Sequence, residues 1–294
     1  MKKILKNIIS NNNFLSLFGN MIFAVFGFAS IFILARSFGK DMFGEWVMYI
    51  TAVSFVEMAR IGLTRTAVVK FLAGAQSDDE GHEIIGSGWV IEIALTIVFI
   101  ILVYSSYLIF PTAISESGFR LFFIWYPLMA ILVTPFNNSL TILQAKQKFG
   151  SIISLRLVSM GSFVLFIIVN YFFLKLSVRY IVFAHIGSNA LASIFGIIMG
   201  WSGMVQLFNA RKKRILELLN FGKFSLGTLI GSNLLKSSDT ILLGIMMTKA
   251  DAAIYAIPIK LIEVLEIPLR SFIAVALPRM SRESRLGNKE EVKN

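Results

Sequence analysis

The residues that could do chemistry in this chain are few, charged, and set inside long apolar stretches. Near its end Lys260, Glu263, Glu266 and Arg270 recur at intervals that, at 100° per residue, place them on one stripe of a helix. Ser54, Glu57, Arg60 and Thr64 put an acid and a base on one helical face in the same way. Lys236 and Asp239, among Ser232, Asn233, Ser237, Ser238 and Thr240, are spaced to pair. Glu92 stands alone in an apolar run, and Arg156, His185 and Asn189 complete the set. An ionised group at membrane depth is expensive, so each must face a cavity, a protein partner or a counter-ion. A carboxylate in such a place can take up a proton or a sodium ion, which makes Glu57, Glu92, Asp239, Glu263 and Glu266 the candidate ion-coupling or paired acids. His185 would titrate near neutrality if it faced a cavity. It shares its helix with Ser188, Ala192, Gly196 and Gly200, however, a ridge of small residues that suits close packing, so a helix–helix hydrogen bond is its expected role.

The elements that must hold these groups are membrane spans. Hydrophobic residues make up 56% of the chain and charged ones 15%, against about 25% charged in a typical soluble domain, and the mean hydropathy is +0.75. The net charge of +11 would fit a nucleic-acid partner only on a soluble basic face. Here the basic residues fall in short clusters between apolar spans, so no nucleic acid is expected. With no cysteine there is no disulfide and no thiolate metal or haem site, and His82 and His185 lie too far apart for a local metal motif, so neither metal nor cofactor is expected.

Apolar length marks about eight spans, near 14–35, 46–70, 84–110, 120–143, 152–174, 180–207, 222–247 and 254–278. Lys2, Lys3 and Lys6 followed by an apolar run imitate a signal peptide, but the run is too long for one and reads as the first span. Basic residues alternate between loops. One side collects the N-terminal lysines, Arg60, Arg65 and Lys70, Lys146, Lys148 and Arg156, Arg211 to Arg214, and the tail from Arg279. The other has only Arg36, Lys40, Arg120, Lys175, Arg179 and Lys249. The positive-inside rule then puts both termini in the cytoplasm. The organisation is a transmembrane unit over 1–208, a cytoplasmic basic linker over 209–221, a hairpin over 222–278 and a cytoplasmic tail over 279–294. Arg214 to Leu219 reads as a short interfacial helix, serving as a charged stop at the surface or as an anionic-lipid site.

Two hairpins share one plan of apolar helix, short loop and acid-bearing helix. Superposing Leu34 on Leu243 places Lys40 on Lys249, Trp46 on Tyr255 and Glu57 on Glu266. A parallel repeat of six helices would arrange them so. The stretch Leu34-Ala35-Arg36-Ser37-Phe38-Gly39-Lys40-Asp41-Met42-Phe43-Gly44-Glu45-Trp46, with Asp239-Thr240-Ile241-Leu242-Leu243-Gly244, Ala252-Ala253-Ile254-Tyr255-Ala256 and Ala276-Leu277-Pro278-Arg279-Met280-Ser281, resembles the polysaccharide (Wzx-type) flippases of the MOP exporter superfamily, which also holds the MATE-like antiporters.

That resemblance implies an all-α polytopic membrane protein with a six-helix first lobe and the first two helices of a second, pseudo-symmetric lobe around a central cavity. It implies a carrier rather than an enzyme, with no catalytic residues. The cargo would be a polyprenyl-diphosphate-linked oligosaccharide for O-antigen, lipopolysaccharide, capsule or exopolysaccharide, flipped across the bacterial inner membrane by alternating access. It also nominates Arg36, Arg60, Lys236, Lys260 and Arg270 as cavity cations for the diphosphate. For Arg36 and Arg60 an interfacial anchor is the alternative, since long basic chains snorkel near helix ends. Membrane lipids, Na+ or H+, a polysaccharide polymerase and a complementary chain are the expected partners. The family has twelve to fourteen helices, so this sequence reads as truncated relative to it, an inactive remnant, or one subunit of a split carrier. The other readings are a cation or drug antiporter, which would want an acidic cavity, and a membrane-embedded polymerase or ligase, which would want a larger outer loop.

Overall fold

Every element in the computed structural model, which describes residues 12–259, 261 and 262, is helical. The reason is the solvent, since in hydrocarbon a backbone polar group finds a partner only inside its own helix. The order is α1 (Asn12–Ser37), α2 (Lys40–Gly62), α3 (Arg65–Ala73), α4 (Asp78–Ile109), the short α5 (Pro111–Glu116), α6 (Arg120–Ala145), α7 (Phe149–Leu174), α8 (Val178–Ile198), a tight turn over Met204–Asn209 and α9 (Lys212–Met246). A further helix, α10, runs over 249–259. Among the described residues α4, α6, α7 and α8 are long and apolar enough to cross a membrane, and α2 with α3 is long and apolar enough only when the bent pair is taken together. The chain is thus an all-α polytopic membrane protein. The eighth expected span continues past the described residues.

Two elements differ from the sequence reading. The apolar run 46–70 predicts one helix, but the chain bends by 41° between α2 and α3. Gly62 is a weak helix former, and the Thr64 hydroxyl lies 3.2 Å from the Ile61 carbonyl, which competes with the regular ladder. The short interfacial helix expected at Arg214 to Leu219 is instead the first turns of the 35-residue α9. Leu218 explains this: it is buried against Ala67, Val68, Ile84 and Ile91, so the segment packs on α3 and α4.

Helix packing in a membrane relies on close fit and shared hydrogen bonds rather than on expelling water. Between α6 and α8 both operate. Pro135 disrupts the ladder of α6, and the Ser193 hydroxyl from α8 fills the opening, donating to the Leu132 carbonyl at 2.5 Å and accepting from the Phe136 N–H at 3.1 Å. The small-residue ridge of α8 is real at Ser188, Ala192 and Gly196, all buried. A methyl group at Gly196 would stand 2.6 Å from the Ser139 Oγ. Gly227 and Gly231, which share that spacing in α9, have open space around them. Gly200 and Gly203 take φ of +68° and +62°, the left-handed values that turn the chain out of α8.

The hairpin of α9 and α10 is fastened to the earlier helices at both ends. At one end Gly222 lies against the Leu63 carbonyl, too close to admit a Cβ. Phe221 meets the edge of Phe71 at 5.9 Å, and the Lys70 ammonium sits 4.0 Å from the Phe221 ring. At the other end the Lys249 ammonium pairs with the Glu45 carboxylate at 2.7 Å, and the Lys249 carbonyl abuts Gly44. The Thr248 hydroxyl and backbone N–H donate to Asp251 at 2.6 and 3.0 Å. Those bonds hold its carboxyl below the usual carboxylate range.

Gly222→Val drives a side chain into a backbone carbonyl that cannot swing aside, and overpacking of this kind costs about 1–3 kcal/mol. The melting temperature of the detergent-solubilised chain should fall for Gly222→Val and stay near wild type for Gly227→Val. Equal melting of all three would remove the close approach at Leu63.

Candidate functional site

The charged face read on the second span is built by α2 and completed by α4 and α6. Arg60 has no exposed side-chain surface. Its Nε and Nη2 reach the two oxygens of Glu57 at 3.0 and 2.6 Å, and the pair sits one helical turn apart. Nη1 reaches Glu92 Oε2 at 3.1 Å, Thr96 Oγ1 at 2.7 Å and Thr134 Oγ1 at 3.1 Å. Those two hydroxyls can accept because their own protons go to the carbonyls of Glu92 and Ala130, both at 2.7 Å. Glu57 gathers two more donors, the Tyr126 hydroxyl and the Asn137 amide, each at 3.1 Å. Glu57 thus faces four donors from α2 and α6.

Glu92 is different. It is buried, and beyond the Arg60 contact its other oxygen touches the Thr64 hydroxyl at the break between α2 and α3. That hydroxyl has one proton and two neighbours, the Glu92 carboxyl and the Ile61 carbonyl. One guanidinium between two carboxylates leaves a surplus negative charge, which a buried site does not tolerate cheaply. A proton on Glu92 removes the surplus: Glu92 then donates to Thr64, and Thr64 donates to Ile61. The arrangement thus sets a buried acid, paired to Arg60, against the bend between two helices.

A cavity of about 600 Å³ lies between α1, α2, α6, α7, α8 and the α9–α10 hairpin. Its wall carries Ser30, Thr51, Ser54, Ser159, Ser188, Asn189 and Thr240, together with Trp46, His185 and Arg156. Two turns of α7, over Leu157–Gly161 and Asn170–Leu174, are widened to π-type, a feature common at functional sites. The first follows Arg156 and directs Ser159 to Asn189 Oδ1 at 3.2 Å. His185 holds the helix-to-helix contact expected of it, with Nδ1 3.3 Å from the Tyr49 hydroxyl and its ring edge-on to Trp46 and Phe163. A second cavity of about 1080 Å³ opens among α2, α5, α6 and α9, lined by Asp41, Glu116, Phe119, Phe122 and Lys249.

The remaining nominated residues are scattered. Arg36 is exposed at the end of α1 with its guanidinium 4.2 Å from the Phe32 ring. Asp239 is exposed on α9 and accepts from the Tyr255 hydroxyl at 2.6 Å. Lys236 is placed on α9 by its backbone. Lys260, Glu263, Glu266 and Arg270 lie outside the described residues. The acidic and basic loop clusters meet: Arg214 pairs with Glu80 at 2.6 Å and Glu217 at 2.8 Å, and Arg211 with Glu83 at 3.3 Å. Sequence reasoning missed Thr96, Thr134, Tyr126 and Asn137. The signal available for them was polar residues at mid-span, with Thr134 and Asn137 flanking a proline.

A family model described as "Polysaccharide biosynthesis protein" matches residues 9–284. No curated protein and no solved structure matches the chain.

Removing Arg60 alone strands two buried carboxyls, and breaking a buried pair costs about 3–5 kcal/mol, whereas replacing all its members with apolar groups is often neutral. Arg60→Met should therefore sharply lower the melting temperature and yield of folded chain. Adding Glu57→Leu and Glu92→Leu to it should recover most of the loss. Wild-type melting of Arg60→Met would mean that the network does not hold these helices together.

Proposed function

The chain belongs to the polysaccharide biosynthesis protein family, the family of Wzx-type flippases of the MOP superfamily, and on that premise we propose that it flips a polyprenyl-diphosphate-linked oligosaccharide across the bacterial cytoplasmic membrane. The observation that carries this reading is the 600 Å³ cavity between α1, α2, α6, α7, α8 and the second hairpin, lined by hydroxyls and an amide that suit sugar. Its size falls in the range of about 300–1,000 Å³ usual for ligand sites. The cargo serves a surface polysaccharide such as O-antigen, capsule or exopolysaccharide. Both termini lie in the cytoplasm, as the loop lysines and arginines favour. The chain acts as a carrier and does no covalent chemistry. Lys236, Lys260 and Arg270 are further cations of this stretch of sequence, and Lys260 follows the cavity residue Ile259 in the chain.

A cation antiporter fits less well, because the cavity wall carries Arg156 and no carboxylate among the described residues. A polymerase would need catalytic groups on a sizeable outer loop, and α4 and α6 are joined by a short one.

The Glu57–Arg60–Glu92 network is the ion-coupling element, with Glu92 as the group that gains and loses a proton, or exchanges it for sodium. The network sits where α2 bends, so its charge state biases the bend. Such linkage is what couples an ion gradient to a conformational change.

Cells deprived of their own exporter, with the rest of the pathway intact, test the carrier reading. Expression of this chain should restore surface polysaccharide and clear the accumulated lipid-linked intermediate; correctly inserted protein with neither effect would overturn it. For coupling, Glu92→Gln in proteoliposomes should abolish the response of transport to an imposed proton or sodium gradient while passive exchange continues. Retained gradient response would move the coupling group elsewhere.

A further inference from the structure

The basic connector between α8 and α9 carries more charge than the bundle takes up. Arg211 and Arg214 pair with the acids packed against them, Arg211 with Glu83 at 3.3 Å and Arg214 with Glu80 and Glu217 at 2.6 and 2.8 Å. Lys212 and Lys213, between those arginines, are exposed and have no ion pair or side-chain hydrogen bond among the described residues. Lys223 meets neutral groups, the Asn220 amide oxygen at 3.4 Å and the Phe224 ring. At 100° per residue Lys212, Leu216, Asn220 and Lys223 fall within about 80° of one another, and all four are exposed. Leu218, on the opposite face, is buried against α3 and α4. Asp78 and Asp79, also exposed, begin α4, at the end of that helix farthest from the hydrocarbon.

The same connector holds apolar side chains outward. On the turn over Met204–Asn209, Val205 is 79% and Phe208 91% exposed. The backbone on either side of that turn is fixed to α4: the Trp89 indole donates to the Ser202 carbonyl at 2.9 Å, and the Ser87 hydroxyl accepts from the Arg211 N–H at 3.1 Å. Gly86 abuts the Gln206 carbonyl with no room for a Cβ. The 35 residues of α9 reach about 52 Å at 1.5 Å each, against a hydrocarbon core of about 30 Å, so the helix extends beyond the core into the headgroup layer. Apolar side chains beside unneutralised lysines at that depth fit a surface of anionic headgroups. We propose that Val205, Phe208, Lys212, Lys213 and Lys223 form a docking site for an anionic glycerophospholipid. The lysines bind its phosphate head, and Val205 and Phe208 enter the layer at the base of its acyl chains. Arg214 takes no part, because Glu80 and Glu217 occupy its guanidinium. The site lies on the outside of the bundle, apart from both cavities, and seats the rigid start of α9 on one leaflet whether or not the chain is a carrier.

The full chain in detergent micelles, mixed with equimolar phosphatidylglycerol and phosphatidylcholine, tests the site by native mass spectrometry of the lipid it retains. Phosphatidylglycerol should be retained in preference, and the preference should shrink as salt is raised, because exposed charges are screened. A lysine close to an anionic surface contributes roughly fivefold in affinity. Combining Lys212→Gln, Lys213→Gln and Lys223→Gln should therefore weaken retention on the order of a hundredfold. The same charge removed from the opposite end of the bundle, by Arg120→Gln, Lys175→Gln and Arg179→Gln at exposed positions, should leave retention unchanged. Equal retention of the two lipids by wild type overturns the proposal. Equal loss in the two triple variants does so as well, since net charge alone would then attract the lipid. Where the lysine triple variant does not fold, Lys213→Gln alone decides, with retention about fivefold weaker expected and unchanged retention overturning the site. Retention of undecaprenyl diphosphate to the exclusion of phosphatidylglycerol, from an equimolar mixture of those two, would give the patch to a lipid diphosphate and overturn it too.

Discussion

A guanidinium removed from water inside a membrane protein dictates the geometry of everything that must accept from it. Arg60 is in that position, and the acceptors come from three helices: Glu57 on its own turn of α2, Glu92 and Thr96 on α4, and Thr134 on α6. Because the fork is planar and rigid, these contacts fix the depth and rotation of α4 and α6 relative to α2. Apolar packing could not do so alone, since lipid tails compete equally for Leu and Ile. The second acid makes the site more than a structural staple. Glu57 is supplied with four donors, while Glu92 ties Arg60 directly to the break at Thr64.

That break connects the network to the second hairpin. The 41° bend frees the Leu63 carbonyl from the regular ladder, and Gly222 of α9 packs against it with no room for a side chain. Beyond the bend, α3 carries Phe71 and Lys70 onto Phe221 and helps to bury Leu218. Glu92, Thr64, Leu63 and Gly222 are therefore consecutive contacts in a single physical chain from α4 to α9.

The membrane architecture was legible in the sequence because hydrocarbon demands apolar length, and length needs no knowledge of neighbours. Glu57 with Arg60 was legible for the same reason, as a pair within one helix. Glu92 was recognisable as costly but not as Arg60's partner, since 32 positions separate them and only the packing of α2 on α4 joins them. Thr96 and Thr134 look like ordinary membrane hydroxyls until a guanidinium is placed between them. The break at Thr64 was hidden because Gly and Thr are tolerated within membrane helices. Pro135 announced a disrupted ladder, while the Ser193 that mends it is one serine among many. The first turns of α9 were taken for a surface helix because their charges were visible and the pocket that buries Leu218 was not. Arg156 was seen as a charge near a helix start, yet a cavity is a property of shape, and the π-type turn beside it left no mark in the apolar pattern.

The two fastenings of the second hairpin differ in kind. The Glu45–Lys249 pair is about one-third exposed on each side chain, and a pair of that kind is worth roughly 0–1 kcal/mol. The opposite end combines a backbone-to-glycine approach, an aromatic edge-to-face contact, a cation over a ring and a fully buried leucine, and burying the leucine alone is worth about 1.5–3 kcal/mol in water. The Lys249 end has a backbone-to-glycine approach of its own, at Gly44, and Ala253 beside it is buried in the main core, so the ion pair is the exposed part of a closely packed contact. The cavity that Arg156 lines draws on α9 at Thr240 and on α10 at Ala256 and Ile259, so the hairpin that these two contacts hold in place is also a wall of the cavity.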